Sequence, residues 1–189
     1  MKKYLSKLVI LAALVVAFSG CDVTISTNGP AGTATPSGSG TPSASSTAHL
    51  GEQTKTSGCL AHGGLSDSAC TPGAIFPNAT VQQICKSGYS SSVRNVPTTE
   101  KNQVYAEYGI THHSPGQYEV DHLISLELGG SNNIANLWPE AASPTPGFHQ
   151  KDQVENYLHD QVCSGALSLK DAQNQIATNW LAVYNRMPK

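Results

Sequence analysis

The chain has 189 residues, of which 13% are charged and 6% are aromatic, and its formal net charge is −2. This length suffices for one ordinary domain with segments left over, and the charge balance excludes a histone-like or strongly basic nucleic-acid binder. No run of 18 or more apolar residues occurs, so the sequence predicts no conventional membrane span.

The first 20 residues have the features of a secretory signal peptide. Three lysines precede an almost unbroken apolar run over residues 8–18, and small residues close it. The ending Ser19-Gly20-Cys21 resembles a bacterial lipobox, although Phe18 stands where Leu is usual. The resemblance implies that Cys21 is lipidated and begins a mature protein attached to a bacterial membrane. The alternative is an ordinary signal peptide that leaves a secreted protein.

A low-complexity segment follows the signal. Residues 26–48 contain only Ser, Thr, Gly, Pro, Ala and one Asn. Such a segment has nothing to bury, so it cannot offset its conformational entropy by folding. The sequence therefore predicts a tether over residues 21–57, which holds a folded domain over residues 58–189 off a membrane surface outside the cytoplasm.

Four cysteines lie beyond Cys21, and their even number in an exported chain predicts two disulfides. Three pairings are possible among these four residues, which are Cys59, Cys70, Cys85 and Cys163. The first two are close enough to close a local loop, in which case the others tie the start of the domain to its last third. Because no CxxC pair occurs, a metal site at these cysteines is the weaker interpretation.

The first half of the domain predicts few regular elements. Residues 58–80 are rich in Gly, Ser, Pro and Cys and predict loops, and residues 80–85 predict the start of a short helix or strand. Residues 118–128 show an alternating pattern of apolar and polar side chains and include β-branched residues. This pattern predicts a strand, with a turn at the following Gly-Gly pair. Residues 136–139 predict a short second strand that Pro139 ends.

Two helices are predicted after a proline-rich loop over residues 141–147. The first covers residues 149–162 and carries an apolar stripe formed by Val154, Tyr157, Leu158 and Val162. A capping box beginning at Ser168 opens the second helix. Its apolar face consists of Ala172, Ile176, Trp180 and Val183.

Side chains suited to catalysis are concentrated between residues 119 and 152. Asp121 and His122 are adjacent on or beside the first strand, and adjacent strand residues point to opposite faces of a sheet. One of them can therefore bind a metal while the other faces a substrate. His149 and Asp152 are three residues apart at the start of the next helix, which puts both on one side of its first turn.

The order of Asp121-His122, a Gly-Gly turn, Asn136-Leu137 and a later His resembles the HNH endonucleases of the ββα-metal superfamily. The string YEVDHLISLELGGSNNIANLWPE is also similar to a group of exported bacterial proteins of HNH type, and residues 70–100 resemble the upstream part of that group. The resemblance implies an α+β fold with a ββα-metal core and additional helices, braced here by disulfides. It also implies hydrolysis of phosphodiester bonds in a nucleic acid, DNA or RNA, outside the cytoplasm.

The same resemblance implies a role for each matching residue. His122 would be the general base that activates water, a task that suits an imidazole neutral near pH 7. Asp121 and His149 would bind one divalent cation, with Mg²⁺ as the first candidate and Mn²⁺ or Zn²⁺ as the others. The cation would neutralise the phosphate and stabilise the leaving oxygen. Asn136 would hold the loop that carries His122.

Three further residues are candidates for supporting roles. Glu119 shares the strand face of Asp121 and is either a support of the metal site or a solvated carboxylate. Arg94 either holds a phosphate or forms a structural salt bridge. Asp152 is the substitute for His149 as metal ligand, because the segment before His149 is longer than the common HNH spacing.

Two other functions fit parts of the pattern. Asp and His side chains can also hold zinc for the hydrolysis of a peptide or cell-wall bond, but that function does not explain the Gly-Gly turn or Asn136. A non-catalytic, disulfide-stapled binding module on a tether is the other alternative, and it predicts that no activity depends on His122. The sequence indicates no protein partner.

Overall fold

The computed structural model describes residues 50–189, so the predicted signal peptide, Cys21 and most of the tether lie outside the described residues. The described part is a mixed α+β structure with a small two-stranded sheet. Its elements are α1 (Val81–Ile84), α2 (Tyr89–Val93), α3 (Thr98–Glu107), β1 (Tyr118–His122), β2 (Leu137–Ala141), α4 (Phe148–Cys163) and α5 (Leu169–Arg186). Within this part of the chain, no helix is both long and apolar enough to cross a membrane.

The first strand is shorter than the sequence predicts, because it ends at His122. The chain then passes through a 3₁₀ turn over Leu126–Leu128 and folds back at Gly129, which has a φ of +75°. A Cβ at Gly130 would overlap the carbonyl oxygen of Ile124, so this close approach of two backbone segments requires glycine. The apolar residues of the turn are all buried in the core. Their alternating pattern in the sequence therefore reflects burial in a turn and does not indicate a longer strand.

The second strand continues past the proline that was expected to end it. β2 is antiparallel to β1, with Val120 opposite Pro139 and His122 opposite Leu137. Because the sheet has two strands, each strand has an unpaired edge, where a residue without an N–H group is tolerated. Pro139 therefore lies inside β2.

The main core lies between α4, α5 and the turn that follows β1. Ser168 accepts a hydrogen bond from the backbone N–H of Asp171, which caps α5 as the sequence predicts. The predicted apolar face of α5 is confirmed, because its four members are buried. The core consists of Ile84, Ile124, Leu128, Val154, Leu158, Val162, Ala172, Ile176, Trp180, Val183 and Met187. Full burial of a large side chain of this kind contributes about 1.5–3 kcal/mol.

A second, smaller cluster covers the other face of the sheet. Val104 of α3 packs against Val120 of β1 and Leu137 of β2. The sequence pattern does not predict α3, because this helix carries no apolar stripe and buries only Val104 among its apolar side chains. The two strands are thus covered by α3 on one face and by α4 on the other.

Both predicted disulfides are confirmed. Cys59–Cys70 closes a local loop, and Cys85–Cys163 joins the residue after α1 to the last residue of α4. Disulfides form and persist in oxidising compartments. The folded part of the chain therefore belongs to an extracytoplasmic environment.

Candidate functional site

The two adjacent residues at the end of β1 lie on opposite faces of the sheet. Asp121 faces α4, where it forms an ion pair with Lys151. His122 lies on the face of Val120, toward the loop that precedes β2, and forms a hydrogen bond with Asn132 of that loop. The alternation of a β-strand therefore separates the carboxylate from the imidazole.

The hydrogen bonds around Asn132 determine which nitrogen of His122 carries the proton. The Asn132 amide nitrogen donates to the carbonyl of Val93 at 2.7 Å, and its Oδ1 accepts from the N–H of Asn95 at 3.1 Å. Oδ1 is therefore the acceptor that faces His122, so Nε2 of His122 is the donor at 3.2 Å. Nδ1 then carries the lone pair, and it is buried without a hydrogen-bond partner among the described residues.

The environment of His122 favours the neutral imidazole. Its side chain is 1% exposed, and burial lowers its pKa to about 4 because it disfavours the imidazolium. The charge of Asp121 acts in the opposite direction without outweighing burial, and the positive charge of Arg94 lowers the pKa further. At neutral pH, Nδ1 of His122 is thus an unprotonated nitrogen, buried and without a hydrogen-bond partner among the described residues.

Asn136 joins the start of β2 to the turn after His122. Its Oδ1 accepts from the N–H groups of Ile124 at 2.9 Å and Ala74 at 3.3 Å. Its Nδ2 donates to the carbonyls of Ile124 and Ser131, both at 2.9 Å. The side chain is completely buried, and all its hydrogen-bonding capacity is used within the protein. Asn136 therefore holds the backbone that follows His122.

On the opposite face of the sheet, a fully buried lysine joins the two functional candidates. Nζ of Lys151 donates to Oδ2 of Asp121 at 2.6 Å, to the backbone carbonyl of His122 at 2.7 Å and to the carboxylate of Glu155. Burial acts to raise the pKa of Asp121, but the charge of Lys151 outweighs it and holds that pKa below its usual value. Burial acts to lower the pKa of Lys151, and the two carboxylates outweigh it and raise the pKa.

Two carboxyl groups of the same cluster have the opposite character. Glu140 lies on the sheet face of Asp121, is 1% exposed, and has no hydrogen-bond partner for either oxygen among the described residues. Burial raises the pKa of Glu140 to about 10 and that of Glu155 to about 8. The cluster thus contains more carboxyl groups than its single lysine can neutralise, and Glu140, which contacts no cation, holds a proton at neutral pH in the metal-free protein.

The predicted second metal ligand and its substitute both lie on the exposed first turns of α4. The ring of His149 packs against that of Phe148, with 4.4 Å between ring centroids. Burial and the negative charge of Asp121 raise the pKa of Asp152, which places Asp152 within electrostatic reach of Asp121. Neither His149 nor Asp152 belongs to the buried cluster around Lys151.

Of the two other supporting candidates, Glu119 lies on β1 and Arg94 follows α2. Glu119 is largely exposed, and its partial desolvation together with the charges of Asp121 and Asp152 raises its pKa. Arg94 is exposed at the end of α2 and forms no ion pair within residues 50–189. Its charge nevertheless lowers the pKa values of Glu119 and His122. Arg94 is therefore a cation near the site with no carboxylate partner in the described part of the chain.

One group of three ligand atoms in the described residues is close enough to hold a metal. The ligand atoms of Cys85, His159 and Cys163 lie within 4.8 Å of one another. However, the two sulfurs are joined in a disulfide, and a metal needs them as free thiolates. Asp121 and His149 belong to no such group in this part of the chain.

Three residues of this cluster, Lys151, Glu140 and Glu155, were not predicted from the sequence, although it carries signals for the burial of Lys151 and Glu140. Lys151 precedes Val154 by three residues, so a helix places it on the apolar stripe. Glu140 follows Trp138 by two residues, so a strand places both on one face.

No protein-family model, curated protein or solved structure matches this chain. The HNH resemblance is therefore supported by its motif residues alone.

Proposed function

We propose that this domain is a metal-dependent nuclease that hydrolyses phosphodiester bonds of a nucleic acid outside the cytoplasm. The observation that carries the proposal is the arrangement at the end of β1. A neutral imidazole with a free lone pair on Nδ1 lies on one face, and the ionised carboxylate of Asp121 lies on the other. The two disulfides support the extracytoplasmic location.

In the proposed reaction, His122 is the general base. Nδ1 takes a proton from a water molecule while the water oxygen forms a bond to phosphorus and the bond from phosphorus to the leaving oxygen breaks. Nε2 keeps its hydrogen bond to Asn132, which holds the ring in one orientation. The turn held by Asn136 keeps the backbone after His122 in place.

The carboxyl groups opposite His122 fit a hard divalent cation by donor type. Asp121 and Glu140 offer oxygen donors, which Mg²⁺ and Mn²⁺ prefer, and both oxygens of Glu140 lack a partner among the described residues. These two residues would hold the cation, and His149 stays a predicted further ligand. When bound, a divalent cation would neutralise charge on the phosphate and stabilise the leaving oxygen. Because its ligands and His122 lie on opposite faces of the sheet, the proposal requires the phosphate to lie at the end of β1, where both faces can be reached.

Lys151 is a positioning residue in this proposal. Its ammonium binds the carboxylate of Asp121 and the backbone carbonyl of His122 at the same time. It therefore fixes the end of β1 relative to α4, and it keeps Asp121 ionised despite burial. Loss of this group would disturb both residues together.

The test is cleavage of plasmid DNA and of RNA by the purified protein with Mg²⁺, Mn²⁺, Zn²⁺ or EDTA. We expect cleavage with a divalent cation and none with EDTA. His122→Ala should lower the rate by about 10²–10⁴-fold, which is the usual contribution of a general base. His112→Ala, in an exposed loop, is the matched control and should cleave like the wild type.

Thermal unfolding of each variant shows that it is folded, and metal calorimetry shows that the site still binds the cation. Unchanged cleavage by folded His122→Ala would contradict the mechanism. If the wild type cleaves neither substrate with any of these metals, the nuclease proposal is wrong and the non-catalytic binding module is the better interpretation.

A further inference from the structure

A cavity of about 380 Å³ opens beside β1, on the side of α2 and α3. Three consecutive strand residues line it, Tyr118, Glu119 and Val120. Because successive side chains of a strand point to opposite faces, a cavity that all three reach covers the strand edge that does not pair with β2. The volume lies within the range of ligand sites in proteins.

The wall opposite β1 carries two positive charges. Arg94 follows α2, Lys101 lies on α3, and both side chains are exposed and line the cavity. Neither forms an ion pair within residues 50–189. Glu119 is the one carboxylate among the lining residues. The cavity is therefore locally positive in a part of the chain that has eight lysines and arginines against twelve aspartates and glutamates.

Aromatic rings form a further part of the wall. Tyr105 and Tyr118 both line the cavity. The ring of the exposed His113 is near both, with its centroid 4.4 Å from that of Tyr105 and 6.2 Å from that of Tyr118. Cations next to aromatic rings are the combination with which proteins bind single-stranded nucleic acids, because the cations contact phosphates and the rings stack on bases.

The cavity is also close to the candidate catalytic base. His122 follows Val120 by two residues, which is roughly 7 Å along a strand. The charge of Arg94 lowers the pKa values of both Glu119 and His122, so Arg94 lies within electrostatic reach of both residues. A polymeric substrate whose cleaved bond lies at His122 can therefore place a neighbouring unit in the cavity.

We propose that this cavity binds a nucleotide next to the cleaved bond of a single-stranded nucleic acid. Arg94 and Lys101 contact its phosphate, and Tyr105 stacks on its base. The inference rests on the proposed nuclease function and adds the substrate class to it, since a base in a duplex must first be unpaired and unstacked to enter a side cavity, whereas a single-stranded base avoids that cost.

The test measures binding separately from cleavage. Fluorescence anisotropy of a short labelled oligonucleotide, one of DNA and one of RNA, is recorded in EDTA over a series of salt concentrations. The double variant Arg94→Gln/Lys101→Gln should bind more weakly, and its plot of log affinity against log salt should be shallower by about 0.7 per lost phosphate contact. The matched control Lys86→Gln/Lys170→Gln removes the same charge from exposed positions outside the cavity and should bind like the wild type.

A second pair of variants tests the aromatic wall. Tyr105→Leu should weaken binding by about 5- to 150-fold, the loss expected for one stacked base. Tyr105→Phe keeps the ring and should retain the affinity. Thermal unfolding of all variants shows whether they are folded. If Tyr105→Leu does not fold, the Arg94→Gln/Lys101→Gln comparison decides.

The outcomes separate this inference from the proposed function. If the wild type cleaves and binds, but the cavity variants and the control variants bind equally well, the cavity is not the subsite and the nuclease proposal stands. If the cavity variants lose binding and no metal supports cleavage by the wild type, the cavity is a nucleic-acid site and the nuclease proposal is wrong. Tighter binding of a duplex than of the single strand would also overturn the inference.

Discussion

Burial gives the ionisable residues of this site different charge states, depending on which neighbour each one contacts. Lys151 and Asp121 both keep their charges because each lies against the other. His122, on the opposite face, has no charged hydrogen-bond partner and becomes neutral, and Glu140 has no partner at all among the described residues. Near neutral pH, a proton acceptor and an ionised carboxylate thus occupy adjacent positions of one strand, on opposite faces of the sheet.

The lowered pKa of His122 predicts a loss of stability in acid. The pKa is 6.5 for an unperturbed histidine and about 4 for His122 in the folded protein, so the unfolded chain binds the proton more tightly. The stability that this difference contributes is present above pH 6.5 and is lost as the pH falls toward 4, by an amount on the order of 3 kcal/mol. His122→Gln cannot titrate, so we expect it to lose less stability than the wild type between pH 7 and pH 4.5. Urea unfolding in EDTA at both values measures this, and equal acid losses would contradict the assignment.

The raised pKa of Glu140 predicts the opposite pH dependence. Because the pKa is 4.5 for an unperturbed glutamate and about 10 for Glu140 in the folded protein, stability is highest below pH 4.5 and falls as the pH rises toward 10. Glu140→Gln has the same shape and no charge, so its stability relative to the wild type should increase from pH 5 to pH 9. The exposed Glu52→Gln is the control and should show no such trend.

The same variant tests the proposed metal site. Gln is a poorer ligand than a carboxylate for a hard cation, so Glu140→Gln should bind Mg²⁺ more weakly in calorimetry. Unchanged Mg²⁺ affinity would remove Glu140 from the proposed site.

Among the elements, α4 connects the site to the core. One face carries Lys151 near its start and then Val154, Leu158 and Val162, all of them buried. The apolar part of this face packs on α5 and holds the ammonium of Lys151 against β1. The last residue of α4 is bonded to Cys85, so the element is held at both ends.

The two disulfides should contribute unequally to stability. Cys85–Cys163 spans 78 residues and Cys59–Cys70 spans 11. The chain-entropy model gives about 4.5 kcal/mol for the longer loop and about 2.8 kcal/mol for the shorter one. We therefore expect the double Ser variant of the longer bridge to show the greater loss in urea unfolding. The reverse order would mean that loop length does not control their contributions.

For the whole molecule, the distribution of charge matters more than its sum. Residues 50–189 are acidic overall, so long-range attraction does not steer a nucleic acid to this surface. Association would depend on the local cations Arg94 and Lys101 and on a bound divalent cation. We therefore expect the affinity for a nucleic acid to fall with rising salt concentration only as steeply as a few phosphate contacts require.

Attachment to a membrane is the prediction that concerns the whole chain, and it depends on residues outside the described part. If Cys21 is lipidated, Cys21→Ser should release the protein into the soluble exported fraction or leave it unprocessed. Fractionation of cells that express the wild type and the variant measures this. A wild type that is already fully soluble in the exported fraction would contradict the prediction.

Several features follow from the sequence alone because their causes are local. An even number of cysteines in an exported chain indicates the disulfides. The cap at Ser168 and the spacing of apolar residues after it determine α5, and adjacency on a strand separates Asp121 from His122. The helix cap and the strand alternation depend on residues a few positions apart in the sequence. The disulfides depend on the oxidising compartment to which the chain is exported.

Other features are decided only by the tertiary structure, because they depend on what packs against them. An i,i+4 pair such as Lys151 and Glu155 is typical of an exposed helix face, and only the packing of α4 on the sheet buries it against Asp121. The strand ends at His122 because the chain turns into a core that buries the next apolar residues on all sides. α3 has too weak an apolar pattern to be predicted, and its position beside β1 creates the cavity. The sequence thus determines the elements and the order of the reactive residues, whereas desolvation in the packed structure decides which of them keep their charge.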